Sequence, residues 1–489
     1  MCGILYVESR STRPLQQHLE ALEILKSRGP DFSRYVHTDK VFIAQTVLHI
    51  TGSADFYNEK RSDFFAYNGE IYNYRWHGRY HNDIELAYQS ARDNCNRFQY
   101  FEGPWAWVYW DGNRVTYASD PQGEHYLYRY QDDDIVVVCS EVAPILTYVQ
   151  GVKVIEEYKD KHWTLHSQTP WKNIERLEPG RLYVNHQADK ILDSVWSWVR
   201  HVNYPSIQSA QEEFDSLWVR IMREMTPDCA SAISYSGGVD SSLILKSLSQ
   251  AELVSTNMIG KDPIVDRINE FLTVRQQQNL KCIDVDAEHW AQACHELLKR
   301  TKMPVQSWSF VGKWIVAQHT KSRVVFSGLA ADELFGGYGV YQHIKYDQDQ
   351  SHSPYSEHCD PVLWQRCLNV YNGDAYQATL LSDYWSMIVG CDAPGQDRIA
   401  GAWGKEMRNP FMNKRLMQFA LNLPSTFKQG KPLLKTAFLK QWDQKLLLPK
   451  KGFTGHANDS LPWLSVNVAL TGNRYQDWKT INLQMFANL

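Results

Sequence analysis

Seven consecutive residues, Ser236-Gly237-Gly238-Val239-Asp240-Ser241-Ser242, have the make-up of a phosphate cradle. Adjacent glycines reach positive φ and leave no Cβ between the backbone and an incoming anion. Serine hydroxyls add donors, and a helix starting here supplies unpaired N–H groups and the positive end of its dipole. Asp240 narrows the chemistry, because a carboxylate beside phosphates is repulsive unless a divalent cation lies between them. No lysine follows the glycines, which excludes the G-x-x-x-x-G-K-[ST] loop. A second reactive group stands at the start of the chain, where Cys2 precedes the strand-like run Gly3 to Val7. A small second residue permits removal of Met1, and Cys2 then carries both a thiol and a free α-amine. An α-amine with a pKa of about 7.7–8.0 takes the thiol proton near neutral pH, so this nucleophile needs no His or Asp partner.

These groups need elements to hold them. Ala230 to Tyr235 alternates like a strand into the cradle, and Leu243 to Leu248 continues as a helix. Further strands are predicted at Leu253 to Ile259, Lys281 to Val285 and Arg323 to Phe326. Helices are predicted at Ile264 to Gln277, Ala287 to Arg300 and Phe310 to His319. Such alternation argues for a parallel sheet with ligands at the carboxyl ends of its strands. The last of these strands runs into Ser327-Gly328-Leu329-Ala330-Ala331-Asp332-Glu333, which brings a second carboxylate, Asp332, to a strand end. Gln211 to Met225 has helical spacing, and the polar stretch 196–210, with Pro205, reads as a linker. Near the N-terminus a helix over Leu15 to Lys26 leads to Arg28-Gly29-Pro30-Asp31. A strand over Phe64 to Tyr67 leads to Asn68-Gly69-Glu70, and Asn82-Asp83-Ile84-Glu85 heads another helix.

At 489 residues the chain has room for two or three domains, each with its own core. A net charge of −4 gives no polybasic signature, so no nucleic-acid partner is expected. No apolar run reaches the roughly 18 residues of a membrane span, and no signal core follows the N-terminus. Nine cysteines occur without a C-x-x-C pair, which argues against a disulfide framework and for a cytoplasmic location.

The Ser236–Ser242 stretch resembles the pyrophosphate loop of ATP pyrophosphatases, enzymes that attach AMP to a carboxylate or carbonyl and release pyrophosphate. The N-terminal motifs resemble the class II glutamine amidotransferase domain. That resemblance implies an N-terminal-nucleophile αββα sandwich over residues 2–195. Cys2 would then take the γ-glutamyl group, Asn68 and the Gly69 N–H would form the oxyanion hole, and Glu70 and Asp83 would hold the α-ammonium of glutamine. Asp120-Pro121-Gln122-Gly123, Tyr126-Leu127-Tyr128 and Ser140-Glu141 follow the same pattern, with packing roles expected. One departure concerns substrate: where the family has an Arg that grips the glutamine carboxylate, this chain has Val47. Arg61 and Arg75 are the nearby candidates to replace it.

Ser327 to Tyr338 resembles the second signature of asparagine synthetases. Glu406-Met407-Arg408-Asn409-Pro410-Phe411, Gly430-Lys431 and Pro449-Lys450-Lys451-Gly452-Phe453 resemble later segments of the same family. The resemblance implies a parallel-sheet α/β ATP-pyrophosphatase domain with a helical C-terminal part, over residues 211–489. It implies ATP as substrate, bound by Ser236, Gly237, Gly238, Asp240, Ser241, Ile259, Ser327 and Gly328. Mg²⁺ would be held by Asp240 and Asp332, and Lys450 would act on the phosphates during adenylation. The other partners it implies are glutamine and a carboxylate acceptor, with aspartate the default, and a homodimer is an assembly it allows. Two further departures stand in the signature. Ala330 replaces a glycine, and Leu329 replaces the acidic residue thought to take a proton as ammonia attacks. The expected activity is glutamine-dependent amidation of an adenylated acid. Action on a different acid, and a non-catalytic nucleotide- or glutamine-binding homologue, remain alternatives. Residues 345–400 are the weakest part of the resemblance, with little that matches the pattern.

Overall fold

The computed structural model describes all residues except 51–62, 94, 150, 152, 156–157, 159–167, 261–267, 269–271, 274–275, 278, 345–359, 445–446, 448–454, 457–458, 465, 467, 469–470, 472–473 and 488–489. The N-terminal half carries strands β1 Gly3–Ser9, β2 Phe32–His37, β3 Val41–Val47, β4 Phe64–Gly69, β5 Trp105–Trp110 and β6 Val115–Ser119. It continues with β7 Tyr128–Gln131, β8 Ile135–Cys139, β9 Ile174–Arg176, β10 Arg181–Val184 and β11 Gln187–Ile191. They form two antiparallel sheets, ordered β2-β3-β1-β8-β7-β9 and β11-β10-β6-β5-β4. Strands at the centre are apolar on both faces, because side chains alternate and each face meets a different layer. In β1, Ile4 and Tyr6 point between the sheets, where they meet Ala106 and Val108 of β5. Leu5 and Val7 point outward, where helix α1 (Leu15–Leu25) covers them with Ala21, Leu22 and Leu25. Trp105 and Trp107 of β5 face the opposite outside layer, under Leu86 and Ala87 of helix α2 (Asp83–Arg92). The result is the expected αββα layering.

The C-terminal half is built on a parallel sheet of β12 Ser231–Ser234, β13 Glu252–Met258, β14 Leu280–Val285, β15 Val324–Phe326 and β16 Glu406–Arg408, in the order β14-β13-β12-β15-β16. Alternate residues again divide the faces. Ile233, Leu253 and Phe326 pack with helices α3 (Ile207–Met225) and α4 (Val239–Ser247). Ala232, Val254 and Val325 pack with α5 (Ala287–Thr301), α6 (Ser309–His319) and α7 (Ala393–Ala402). Strand order reverses between β12 and β15, which makes the crevice beyond their carboxyl ends the topological place for a ligand. Among the described residues no helix is long and apolar enough to cross a membrane. The described cysteines are all free.

Several expectations shift. The stretch 196–210 is only partly extended: Val195–Trp198 makes a 3₁₀ turn with Trp198 buried, and α3 begins at Ile207. Ser206 supplies the reason, since its side chain caps the helix by accepting the Ser209 N–H at 3.1 Å. The helix expected at Ile264 to Gln277 lies largely outside the described residues. Residues 360–400, silent as sequence, form helices Pro361–Val370 and Ala375–Asp383, a π-helical stretch Tyr384–Asp392, and α7. The π-helical stretch packs on the N-terminal half. Tyr384 Oη donates to the Gln122 carbonyl at 2.6 Å, Tyr126 Oη to that of Val389 at 2.9 Å, and Arg176 Nη1 to that of Gly390 at 3.0 Å.

Candidate functional site

Cys2 sits at the entrance to β1, facing the carboxyl end of β4. Its backbone N–H donates to Asn68 Oδ1 at 2.6 Å. Asn68 is fully buried, and its Nδ2 has no hydrogen-bond partner among the described residues, so an amide donor stands uncommitted beside the thiol. Gly69 follows at φ 148°; a Cβ there would come within 2.2 Å of the Pro104 carbonyl oxygen, so only glycine keeps β4 this close to β5. Burial pushes the Cys2 thiol up, with the nearby chain-terminal ammonium and the Leu48 N–H only partly offsetting it. The thiol therefore needs a base. Met1 is buried, and its ammonium lies 3.6 Å from Glu406 Oε2.

Arg28, fully buried, ties the Cys2 backbone to the other half of the molecule. Its Nε donates to the Cys2 carbonyl at 2.9 Å, and Nη1 reaches Glu141 Oε1 at 3.1 Å and Asp397 Oδ2 at 2.9 Å. Burial works against the charge on each partner. The mutual attraction nevertheless holds Arg28 above its usual pKa and, with His125, holds Asp397 below the usual carboxylate range. The packing role expected for Ser140-Glu141 is this ion pair. Asp120 has one too, accepting the N–H groups of Trp105, Glu124 and His125 at 3.2, 2.9 and 2.8 Å.

Glu70 and Asp83 both line the cleft at Cys2, as does Glu406 from β16. Glu70 ion-pairs with Arg408, whose Nε also donates to Glu406 Oε1 at 2.9 Å. Burial works to raise Glu406, but Arg408 and the chain-terminal ammonium outweigh it and hold it low. Asp83 accepts the Ile71 N–H at 3.0 Å, and burial pushes its carboxyl up to about 6 despite that bond. Val47 is buried in the cleft wall, and among the described residues the lining holds no Arg or Lys. Arg75 is exposed, with its Nε donating to Tyr74 Oη, and is not brought to the cleft; Arg61 lies outside the described residues.

The second constellation lies at the crevice between β12 and β15. Gly237 takes φ 68°, whereas Gly238, expected to share that conformation, caps α4 at an ordinary φ of −79°. Ser236 and Ser241 face each other across the turn, with their hydroxyl oxygens 3.3 Å apart. Asp240 and Asp332 meet as expected, but around a lysine. Lys431 Nζ is 2.8 Å from both Asp240 oxygens and 2.7 Å from Asp332 Oδ1. Two carboxylates converging on one point form an all-oxygen donor set suited to Mg²⁺, which takes few protein ligands and completes its shell with phosphates and water. Glycines allow the convergence: a Cβ on Gly328 would lie 2.9 Å from Asp240 Cβ, and one on Gly337 1.9 Å from Asp332 Oδ1. Ala330, where the resembled signature has glycine, takes a positive φ of 70°, a strain of roughly 1–2 kcal/mol for an L-residue. Next to Asp332, burial holds the Glu333 carboxyl above the usual range, where Tyr338 Oη donates to it at 2.9 Å. Ser327 follows β15, and its N–H donates to the Arg408 carbonyl at 3.0 Å. Ile259 is exposed at the carboxyl end of β13. Leu329 packs half-buried against the core. Lys450 lies outside the described residues.

Four side chains that the sequence gives no role join these clusters: Arg28, Glu406, Arg408 and Lys431. No local feature around any of them indicates its partner.

Comparison with known proteins gives two family matches, a glutamine amidotransferase domain over residues 1–197 and an asparagine synthase over residues 222–461. Asparagine synthetase [glutamine-hydrolyzing] 1 of Bacillus subtilis is 22% identical over 382 residues, 70% of this chain and 60% of the relative. Amidase chyE of Penicillium rubens is 21% identical over 384 residues, 68% of this chain and 56% of the relative. The chain thus spans less than two thirds of either. Against asparagine synthetase [glutamine-hydrolyzing] of Sandersonia aurantiaca it is 24% identical over 510 residues, covering 94% of this chain and 84% of the relative.

Proposed function

Since the chain belongs to the glutamine-dependent asparagine synthetase family, we propose that it hydrolyses glutamine at Cys2 and amidates an ATP-activated carboxylate with the ammonia, aspartate being the first acceptor to test. The observation that carries this reading is β16. The strand presents Glu406 to the thiol cleft and Arg408 to Glu70 in the cleft wall, while pairing with β15, the strand that runs into Ser327 and Gly328. Two sites that share a strand pair suit a two-step reaction joined by a small intermediate.

In the first step the free α-amine of processed Cys2 takes the thiol proton, and the thiolate attacks the glutamine amide carbon. Asn68 Nδ2 and the Gly69 N–H stabilise the oxyanion; neither donor changes protonation. Asp83 and Glu70 face the α-ammonium. In the second step the acid's carboxylate attacks the α-phosphate, while Ser236, Gly237, Gly238 and Ser241 cradle the leaving pyrophosphate and Ser327, Gly328 and Ile259 border the nucleotide. Mg²⁺ held by Asp240 and Asp332 would neutralise charge on that leaving group, and Lys450 and Lys431 would add cations beside it. Ammonia then displaces AMP. Leu329 cannot take the proton, so amidation of an acid other than aspartate is the second reading. Pyrophosphate release from ATP, measured with glutamine or ammonium across candidate acids, tests the proposal. Release that no acid stimulates would sink it.

The cleft supports two finer expectations. Without Arg at position 47, a charge-assisted contact of roughly 1.5–3 kcal/mol is missing. Val47→Arg should therefore lower the glutamine KM by about tenfold or more, and an unchanged KM would mean that another group already holds the carboxylate. Asp83 must be ionised to pair with the α-ammonium, and its carboxyl titrates at about 6. Glutamine KM should rise as pH falls through about 6, and in Asp83→Asn it should be high but flat over that range. A wild-type KM that ignores pH there would remove Asp83 from substrate binding.

A further inference from the structure

A cavity of about 730 Å³ opens between the two halves, apart from both reaction sites. Ile24 of α1 and Leu146, just past the short helix Val142–Ile145, line it from the N-terminal half. From the other half come α5, α6 and the end of α7. None of its residues lines the Cys2 cleft or belongs to the Asp240–Lys431–Asp332 cluster. Small-molecule sites have volumes of roughly 300–1,000 Å³, so this one is large enough. Its wall is mostly apolar, and Trp314 and Trp403 meet in it edge to face, with ring centroids 5.2 Å apart. Trp403 Nε1 is buried without a hydrogen-bond partner among the described residues, which leaves the wall an unpaired donor. One border is cationic. Lys299, Arg300 and Lys302 stand around the carboxyl end of α5, against the one carboxylate of the lining, Glu296. Glu296 Oε2 accepts the Trp314 Nε1–H at 3.2 Å. Arg300 Nη2 donates to the Ile24 carbonyl at 2.7 Å and to Ser27 Oγ. The ammonium groups of Lys299 and Lys302 have no carboxylate within ion-pair distance among the described residues. A helix dipole favours basic residues at this end, but it does not explain why they border an apolar cavity.

We propose that this cavity binds an amphipathic organic anion, a flat apolar body that carries one acidic group. Trp314, Trp403 and Leu146 take the body, because its burial removes apolar area from water and aromatic surfaces pair with flat partners. Lys299 and Lys302 take the acid. A cationic ligand would meet three positive charges against one negative. A neutral ligand would strip water from two ammoniums and give them no partner in return. The occupant touches both halves beside the contact that joins them: α1 leads to Arg28 and α7 carries Asp397, the pair that ties Cys2 to the second half.

Fluorescence titration of the full chain with anilinonaphthalene sulfonate tests this, with uncharged phenylnaphthylamine as the comparison. Both probes are flat and apolar; only the first carries an acid. Neither titration includes glutamine, ATP or an acceptor acid, so the result does not depend on the activity proposed above. The sulfonate should bind saturably, more weakly as salt rises, and should raise the unfolding midpoint of the chain. The double variant Lys299→Glu, Lys302→Glu should weaken the sulfonate about tenfold or more and change phenylnaphthylamine less than about twofold. Lys299 is exposed and Lys302 half-buried, so the fold should survive, and an unchanged unfolding midpoint without probe checks this. Should the variant fail to fold, Lys299→Gln with Lys302→Gln reads the same difference between probes with a smaller shift. Ala402→Trp fills the cavity from the end of α7 and should weaken both probes. Absence of saturable sulfonate binding overturns the inference. So does sulfonate binding that ignores the lysine variants, which would place the probe elsewhere. Equal loss of both probes in a folded lysine variant overturns it too, because the site would then not read charge.

Discussion

Cys2→Ala should reduce glutamine hydrolysis by at least about a thousandfold and leave ammonium-driven amidation nearly untouched. The size of the loss follows from the cleft. Burial pushes the Cys2 thiol up, so little thiolate forms unaided, and the base proposed to generate it is the α-amine on the same residue. In the unprocessed chain that nitrogen is an amide donating to Asn68 Oδ1, and an amide has no lone pair to offer as a base. A chain that keeps Met1 should therefore be as inactive toward glutamine as Cys2→Ala, and intact-mass measurement of each preparation distinguishes the two. The selectivity follows from separation, because the Asp240–Lys431–Asp332 cluster takes no group from the Cys2 cleft. Removing one half-buried sulfur leaves a small void, too little to disturb the sheet beneath it. Equal loss of glutamine-driven and ammonium-driven activity in Cys2→Ala would contradict two sites joined only by ammonia.

What could be read from the sequence was local. Ser236–Ser242 and Asn68-Gly69 were legible because their chemistry needs certain residue types side by side. The strands of both halves were legible because alternation with period two has one structural meaning. Contacts between distant segments were not. Glu70 invites a role toward an ammonium, yet it ion-pairs with Arg408, 338 residues on. Asp240 and Asp332 were expected to share a Mg²⁺ ion; the structure brings both to Lys431, and nothing near either announces that lysine. Residues 384–392 carry no periodicity of a standard helix, because their backbone is π-helical and both its faces are buried between the halves. Ala330 shows the limit on the backbone side: alanine favours negative φ, yet here it takes 70° in a buried turn.

Asp240→Asn and Asp332→Asn should each lower ATP–pyrophosphate exchange by about a hundredfold or more, with glutamine hydrolysis in the absence of ATP unchanged. The two carboxylates approach one point from opposite sides of the β12–β15 crevice, and Lys431 Nζ occupies that point at 2.7–2.8 Å. One ammonium between two carboxylates, Asp332 buried and Asp240 partly buried, leaves a net negative charge, which repels a triphosphate and attracts a divalent cation. Were Mg²⁺ and pyrophosphate to fill the crevice, Lys431 would stand within reach of the phosphate oxygens as well as of the two carboxylates. Each Asn substitution neutralises half of the anionic pair and leaves Lys431 balanced by the other carboxylate. Mg²⁺ is then the species that loses its place, and a higher Mg²⁺ concentration should recover part of the exchange. That recovery separates a metal site from a structural ion pair. Were the two aspartates there only to hold Lys431, the Asn variants would lose thermal stability, and no concentration of Mg²⁺ would restore their exchange.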